Sequence, residues 1–202
     1  MFQRTDPECA SCSTPPTRRE LLLAAPAVAA VGMGIAYPAA AHAAGARHKT
    51  ECLARESVVE QNIKTFHYLD FHVFNDQQWD KIGLSHSEDV VVHWPDGRTT
   101  VGIDAHVQDL KGLFAWAPDT RVFEHTWLFG GGDSAQFTGC VAIFGGTFTE
   151  PMPIGGGNTI PPTGKQFNIR FSTTCHWTPD GVFDEEYLLW DNQELGRQLG
   201  LS

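Results

Sequence analysis

From Phe167 to Trp190 the chain reads as two strands joined by a tight turn, and that hairpin limits what the rest of the chain can become. FNIRFSTTCHW (Phe167 to Trp177) and VFDEEYLLW (Val182 to Trp190) are rich in aromatic, β-branched and Thr residues. Pro179-Asp180-Gly181 between them suits a short antiparallel connection. The hairpin also carries a heavy polar load: His176, Asp184, Glu185, Glu186 and, just past its end, Asp191. Carboxylates and imidazole inside a sheet are costly unless they are paired or used.

Upstream, the hydrophobic spacing predicts helices first and strands afterwards. Val58, Val59, Asn62, Ile63, Phe66 and Leu69 share one face of a helix within Cys52 to Asn75, and a second helical piece covers Asp76 to Ser85. DVVVHW (Asp89 to Trp94) is a short strand stopped by Pro95-Asp96-Gly97. Gly102 to Trp116 is a helix with the stripe Ile103, Val107, Leu110, Phe114. Arg121 to Phe129 and the glycine-spotted stretch Ala135 to Thr149 are strands, and residues 150–164 form a loop. Helices followed by antiparallel strands imply an α+β domain.

The N-terminus is a separate object. Arg18-Arg19 precede an Ala-rich apolar run that Pro26 and Pro38 interrupt, and Ala41-His42-Ala43 offers a cleavage site. A twin arginine before a mild apolar run is the pattern of Tat export, so the expected location is periplasmic or extracellular, with no stable membrane anchoring after cleavage. Residues 1–44 are thus expected to be leader, and 45–202 the domain. The leader is neutral, with Arg4, Arg18 and Arg19 against Asp6, Glu8 and Glu20, so the formal charge of −10 sits on the domain. Such a balance argues against nucleic acid and anionic membrane surfaces. A neutral or cationic organic ligand suits it better than a polyanion, and the partner expected is a small hydrophobic organic ligand. Cys9 and Cys12 fall in the leader; Cys52, Cys140 and Cys175 allow at most one disulfide, and whether any two pair is open.

PPTGK (Pro161 to Lys165), the DG turn followed by Val182, Glu185, Asp191 and the closing QLG (Gln198 to Gly200) resemble the SnoaL-like polyketide cyclases. These are a branch of the NTF2-like (cystatin-like α+β) superfamily. The resemblance extends more thinly from Leu53 through HWPDG (His93 to Gly97) to Ser202. It implies a cone: a strongly curved antiparallel sheet wrapped around a cavity, with the N-terminal helices packed on its concave face. It also implies a homodimer, no cofactor, and general acid/base chemistry on a small carbonyl compound. In that family an aspartate moves the proton and a histidine helps hold the substrate. Aligned without gaps, those positions are Leu188 and Thr174 here, and leucine cannot move a proton.

The hairpin offers a substitute. If Thr178 pairs with Val182, His176 faces Asp184, Thr174 faces Glu186, and Ser172 faces Leu188, all on one side of the sheet. His176, Asp184 and Glu186 are then candidate catalytic residues. The opposite face holds Ile169, Phe171, Cys175, Trp177, Phe183, Tyr187 and Leu189, and by hydrophobicity alone it is the buried one. The three polar residues would then form a solvated, salt-linked surface or a dimer interface, and a one-residue slip exchanges the two faces.

His93, Trp94, Thr174, Trp127, Tyr187 and Asp191 are candidate substrate-binding residues. Each has a bland counterpart: a strand-end His bonded to the turn, aromatic core packing, or a helix cap at Asp191. Eight histidines follow the leader, but there is no H-x-H or HExxH, and the reading is no metal. Two functions stay open: a cofactor-free cyclase, isomerase or lyase, and a binding protein that holds an apolar ligand without chemistry.

Overall fold

The computed structural model describes residues 39–201. The leader's twin arginine lies outside them, while Ala41-His42-Ala43 falls inside the first helix, α1 (Ala39–Tyr68). Residues 58–202 form the compact unit that carries the sheet. After α1 the chain makes a π-helical turn (Leu69–Phe74) and a 3-10 helix (Trp79–Leu84). Then follow β1 (His86–His93), β2 (Thr99–Val101), α2 (Ile103–Trp116), β3 (Arg121–Gly131) and β4 (Phe137–Thr147). β5 (Met152–Gly155), β6 (Asn158–Ile160), β7 (Gln166–Trp177), β8 (Phe183–Trp190) and α3 (Asn192–Leu199) complete the chain. Among the described residues no helix is long and apolar enough to cross a membrane.

The architecture is the expected α+β one, with a curved sheet and helices. The six strands run in the order β2-β1-β8-β7-β4-β3. One expectation is corrected: the sheet is mixed, because β1 lies parallel to β8. The reason is connectivity. Helical turns deliver β1 to the free edge of the β7–β8 hairpin, and the Phe183 amide bonds the Ser85 carbonyl at 2.8 Å to fix the entry point. Two short elements escape the sequence reading. β2 pairs with β1 across the Pro95-Asp96-Gly97 turn, and β5–β6 form a small separate ladder inside the loop at 150–164.

β7 alternates cleanly, with Phe167, Ile169, Phe171, Thr173, Cys175 and Trp177 buried. The glycines of β4 allow close approach. A Cβ on Gly145 would meet the Phe167 carbonyl oxygen, and one on Gly139 would stand 2.7 Å from the Phe129 ring. Asn75 ties the end of the π turn to β3: its Nδ2 donates to the Val122 carbonyl at 2.9 Å, and its Oδ1 accepts from the Val122 amide at 2.7 Å.

Candidate active site

The turn between β7 and β8 forms as read, with the Thr178 amide bonded to the Val182 carbonyl and Trp177 opposite Phe183. A register shift then intervenes. Beyond it His176 pairs with Glu185, Thr174 with Tyr187, and Cys175 with Glu186. The expected facing of His176 to Asp184 and Thr174 to Glu186 is therefore corrected by one residue. On β8 the consequence is large. Glu186 and Leu188 turn inward and are buried, while Tyr187 and Leu189, placed on the apolar face by the sequence, point out and are exposed.

The three candidate catalytic residues are thus separated. His176 Nδ1 and Asp184 Oδ1 stand 2.6 Å apart but are about two-fifths exposed, so they form a hydrogen-bonded pair at the surface. Glu186 alone reaches the interior. The candidate binding residues divide likewise. Trp94 lines the interior cavity, and its Nε1 donates to Thr100 Oγ1 at 3.0 Å. His93 instead bonds Glu185 Oε1 at 3.0 Å and stacks on Tyr187 at 4.1 Å between ring centres. Thr174 and Trp127 are exposed, Trp127 to 67%. Asp191 caps α3, its Oδ1 accepting from the Gln193 and Glu194 amides at 2.9 and 3.0 Å.

The cavity measures about 60 Å³ and is mostly apolar, with Leu69, Phe74, Trp79, Leu110, Phe144 and Leu188 in its wall. Four titratable groups interrupt that wall: Asp70, His86, His106 and Glu186. The elements explain how they arrive. The π turn widens the helical spiral just where Leu69 and Asp70 pass, so a carboxylate enters an apolar stripe. His125, on β3, bonds Asp70 Oδ2 through Nε2 at 2.7 Å; it is buried behind Asp70 and does not line the cavity. His106 sits on the buried face of α2, one turn from Ile103 and Leu110. His86 opens β1, and its Nδ1 lies 2.9 Å from Ser85 Oγ and 3.3 Å from the Ile82 carbonyl.

Around Glu186 the polar atoms face one another without bonding. Its Oε2 stands 3.6 Å from His106 Nε2 and 3.9 Å from His86 Nε2. Burial dominates the electrostatics. Desolvation raises both Asp70 and Glu186 above the ordinary carboxyl value, with the His125 hydrogen bond drawing Asp70 back and the electrostatic influence of the nearby His106 ring drawing Glu186 back. The same cause lowers His86 to about 3 and His106 to about 4, so both imidazoles are neutral at physiological pH. Cys175, opposite Glu186, is a free buried thiol pushed well above its usual value, which suits a packing residue rather than a nucleophile. Cys140 is also free, so neither pairs with the other or with Cys52.

Asp70, His86, His106 and His125 were not singled out by the sequence as proton-transfer groups. Two of them left a signal. Phe66, Leu69, Asp70 and Val73 follow one helical stripe, as do Ile103, His106, Val107 and Leu110. A titratable residue inside an apolar stripe marks a wall position. His86 and His125 left none, because strand alternation alone does not say which histidine meets a partner.

The curved mixed sheet and its helices define an NTF2-like α+β fold. Within that class, the SnoaL-like polyketide cyclase family matches residues 67–199, and the chain belongs to it. Solved structures agree on the fold. A candidate SnoaL-like polyketide cyclase from Jannaschia sp. CCS1 is 17% identical, with a TM-score of 0.59 over 71% of this chain and 94% of its own. IdmH from Streptomyces antibioticus, a candidate polyketide cyclase, is 21% identical, with a TM-score of 0.56 over 69% and 99%. TsrD from Streptomyces laurentii is 19% identical, with a TM-score of 0.56 over 72% and 97%. The comparison with curated proteins gave no match.

Proposed function

We propose that the domain is a general acid/base enzyme of cyclase, isomerase or lyase type, acting on a small hydrophobic carbonyl compound. One observation carries the reading: an apolar cavity holds two carboxyl groups, Glu186 buried and Asp70 only 13% exposed, each set against imidazole. Groups whose protonation is pushed toward neutrality by burial are suited to moving protons. Asp70, oriented by His125, takes the proton next to the carbonyl. Glu186, whose neutral form burial favours, donates its O–H to the carbonyl oxygen and steadies the enolate. The enolate then picks up a proton at another carbon, adds to a second carbonyl, or expels a leaving group; these outcomes are isomerisation, cyclisation and elimination.

The test is turnover of a panel of small cyclic ketones and β-dicarbonyl compounds. Asp70→Asn and Glu186→Gln keep size and hydrogen bonding, so ligand binding by calorimetry persists while kcat falls about 100-fold or more. Equal turnover in both variants overturns the assignment. Binding without turnover in the wild type makes the domain a ligand-binding protein.

We also propose export by the twin-arginine route, on the pattern at Arg18-Arg19. Export that continues after both are replaced by lysine contradicts it. A homodimer is the proposed assembly, since Phe123, Trp127, Phe129 and Phe137 are exposed side chains of β3 and β4. A monomer mass by light scattering at micromolar concentration removes that proposal.

A further inference from the structure

We propose that Glu186, His86 and His106 form a site for a divalent transition-metal cation of the Zn²⁺ class, with its open position facing the cavity. The ligand atoms of the three all lie within 4.8 Å of one another. Ligands on a tetrahedral zinc ion stand roughly 3.3 Å apart, from bond lengths of about 2.0–2.1 Å. The gaps of 3.6 and 3.9 Å from Glu186 Oε2 to the two Nε2 atoms therefore close on a central ion with small side-chain movements. Two imidazole nitrogens and one carboxylate oxygen are a donor set for zinc or ferrous iron, and three protein ligands leave a coordination position free.

Two further observations point to a ligand rather than to packing. Glu186 Oε2 and His86 Nε2 have no hydrogen-bond partner, although their side chains are only 6% and 1% exposed. Orphaned polar atoms at that depth are expensive unless something sits among them. His86 is also held as a ligand histidine is held. Its Nδ1–H can donate to the Ile82 carbonyl at 3.3 Å, which leaves the Nε2 lone pair aimed at Glu186. The outer surface nearby is acidic. A second, outer groove shares Trp79, Ile82 and His86 with the cavity, and carries Asp80, Glu88 and Asp104 together with Lys111. Three carboxylates against one ammonium favour cation entry.

The inference rests on the proposed function in one respect only: the cation would take the place of the Glu186 proton in polarising the carbonyl. Its test needs no turnover. The full chain, kept under non-reducing conditions, is stripped with a chelator and titrated with Co²⁺ and with Zn²⁺. The expected result is one ion per chain, with the strong visible d–d bands of low-coordinate Co²⁺. Glu186→Gln and His106→Asn, checked for folding by circular dichroism, weaken binding about 100-fold or more. His176→Ala, at the surface pair, leaves binding unchanged. Asp70→Asn retains the ion even where it removes turnover, so the two readings fail separately. Should the ligand variants not fold, X-ray absorption of the zinc-loaded wild type decides. A nitrogen and oxygen shell with two imidazoles supports the site; a sulfur shell, a shell of water oxygens alone, or no stoichiometric binding overturns it.

Discussion

Glu186 and its neighbours set opposite slopes in the pH dependence of stability. The folded values of His86 and His106, about 3 and about 4, lie below the ordinary 6.5. As pH falls below 6.5 the unfolded chain takes up protons that the folded chain refuses, so stability is lost progressively down to about 3. Asp70 and Glu186 act the other way. Their raised values favour the folded state below the ordinary carboxyl range, and that contribution is lost as pH rises through the raised values. His86→Phe keeps the ring contact with Phe183, 4.1 Å between centres, and removes one proton acceptor from the unfolded chain. Denaturant midpoints measured from pH 7 to pH 4 should therefore fall less steeply in this variant than in the wild type. An unchanged slope shows that His86 titrates normally.

At the scale of elements, the close approach of β4 to its neighbours depends on residues without side chains. Gly145→Ala places a methyl group against the Phe167 carbonyl and 3.1 Å from the Phe123 ring. Backbone cannot yield as a side-chain tip can, so the substitution should cost roughly 1–3 kcal/mol by thermal or denaturant unfolding. A neutral result shows that the two strands separate easily. The element order of helices and long strands was legible in the sequence, because stripe and alternation are local. Three-residue pairings such as β2 with β1 carry too little alternation to be read. The register of β8 was legible only up to Phe183. Turn chemistry fixes Trp177 against Phe183, but the shift after it depends on tertiary packing, where burying Leu188 and packing the partly buried Trp190 against Phe144 outweighs keeping Tyr187 inside. That one residue decides the site. It brings Glu186 to the cavity and leaves His176 and Asp184 on the surface.

Taken as a molecule, the protein gathers the titratable groups of its cavity wall from elements far apart in sequence. The π turn brings Asp70, β1 brings His86, α2 brings His106 and β8 brings Glu186. Leu188, where the sequence resemblance places the family aspartate, is part of the apolar wall, and the carboxyl groups Asp70 and Glu186 stand elsewhere around the same cavity. Proton abstraction next to a carbonyl can be read without knowing the substrate. Small cyclic ketones are incubated with the protein in D₂O, and deuterium entry at the α-carbon is followed by NMR. The account predicts exchange well above buffer for the wild type and a loss of about 100-fold or more in Asp70→Asn. Exchange at the buffer rate across the ketone panel, or equal exchange in Asp70→Asn, contradicts it.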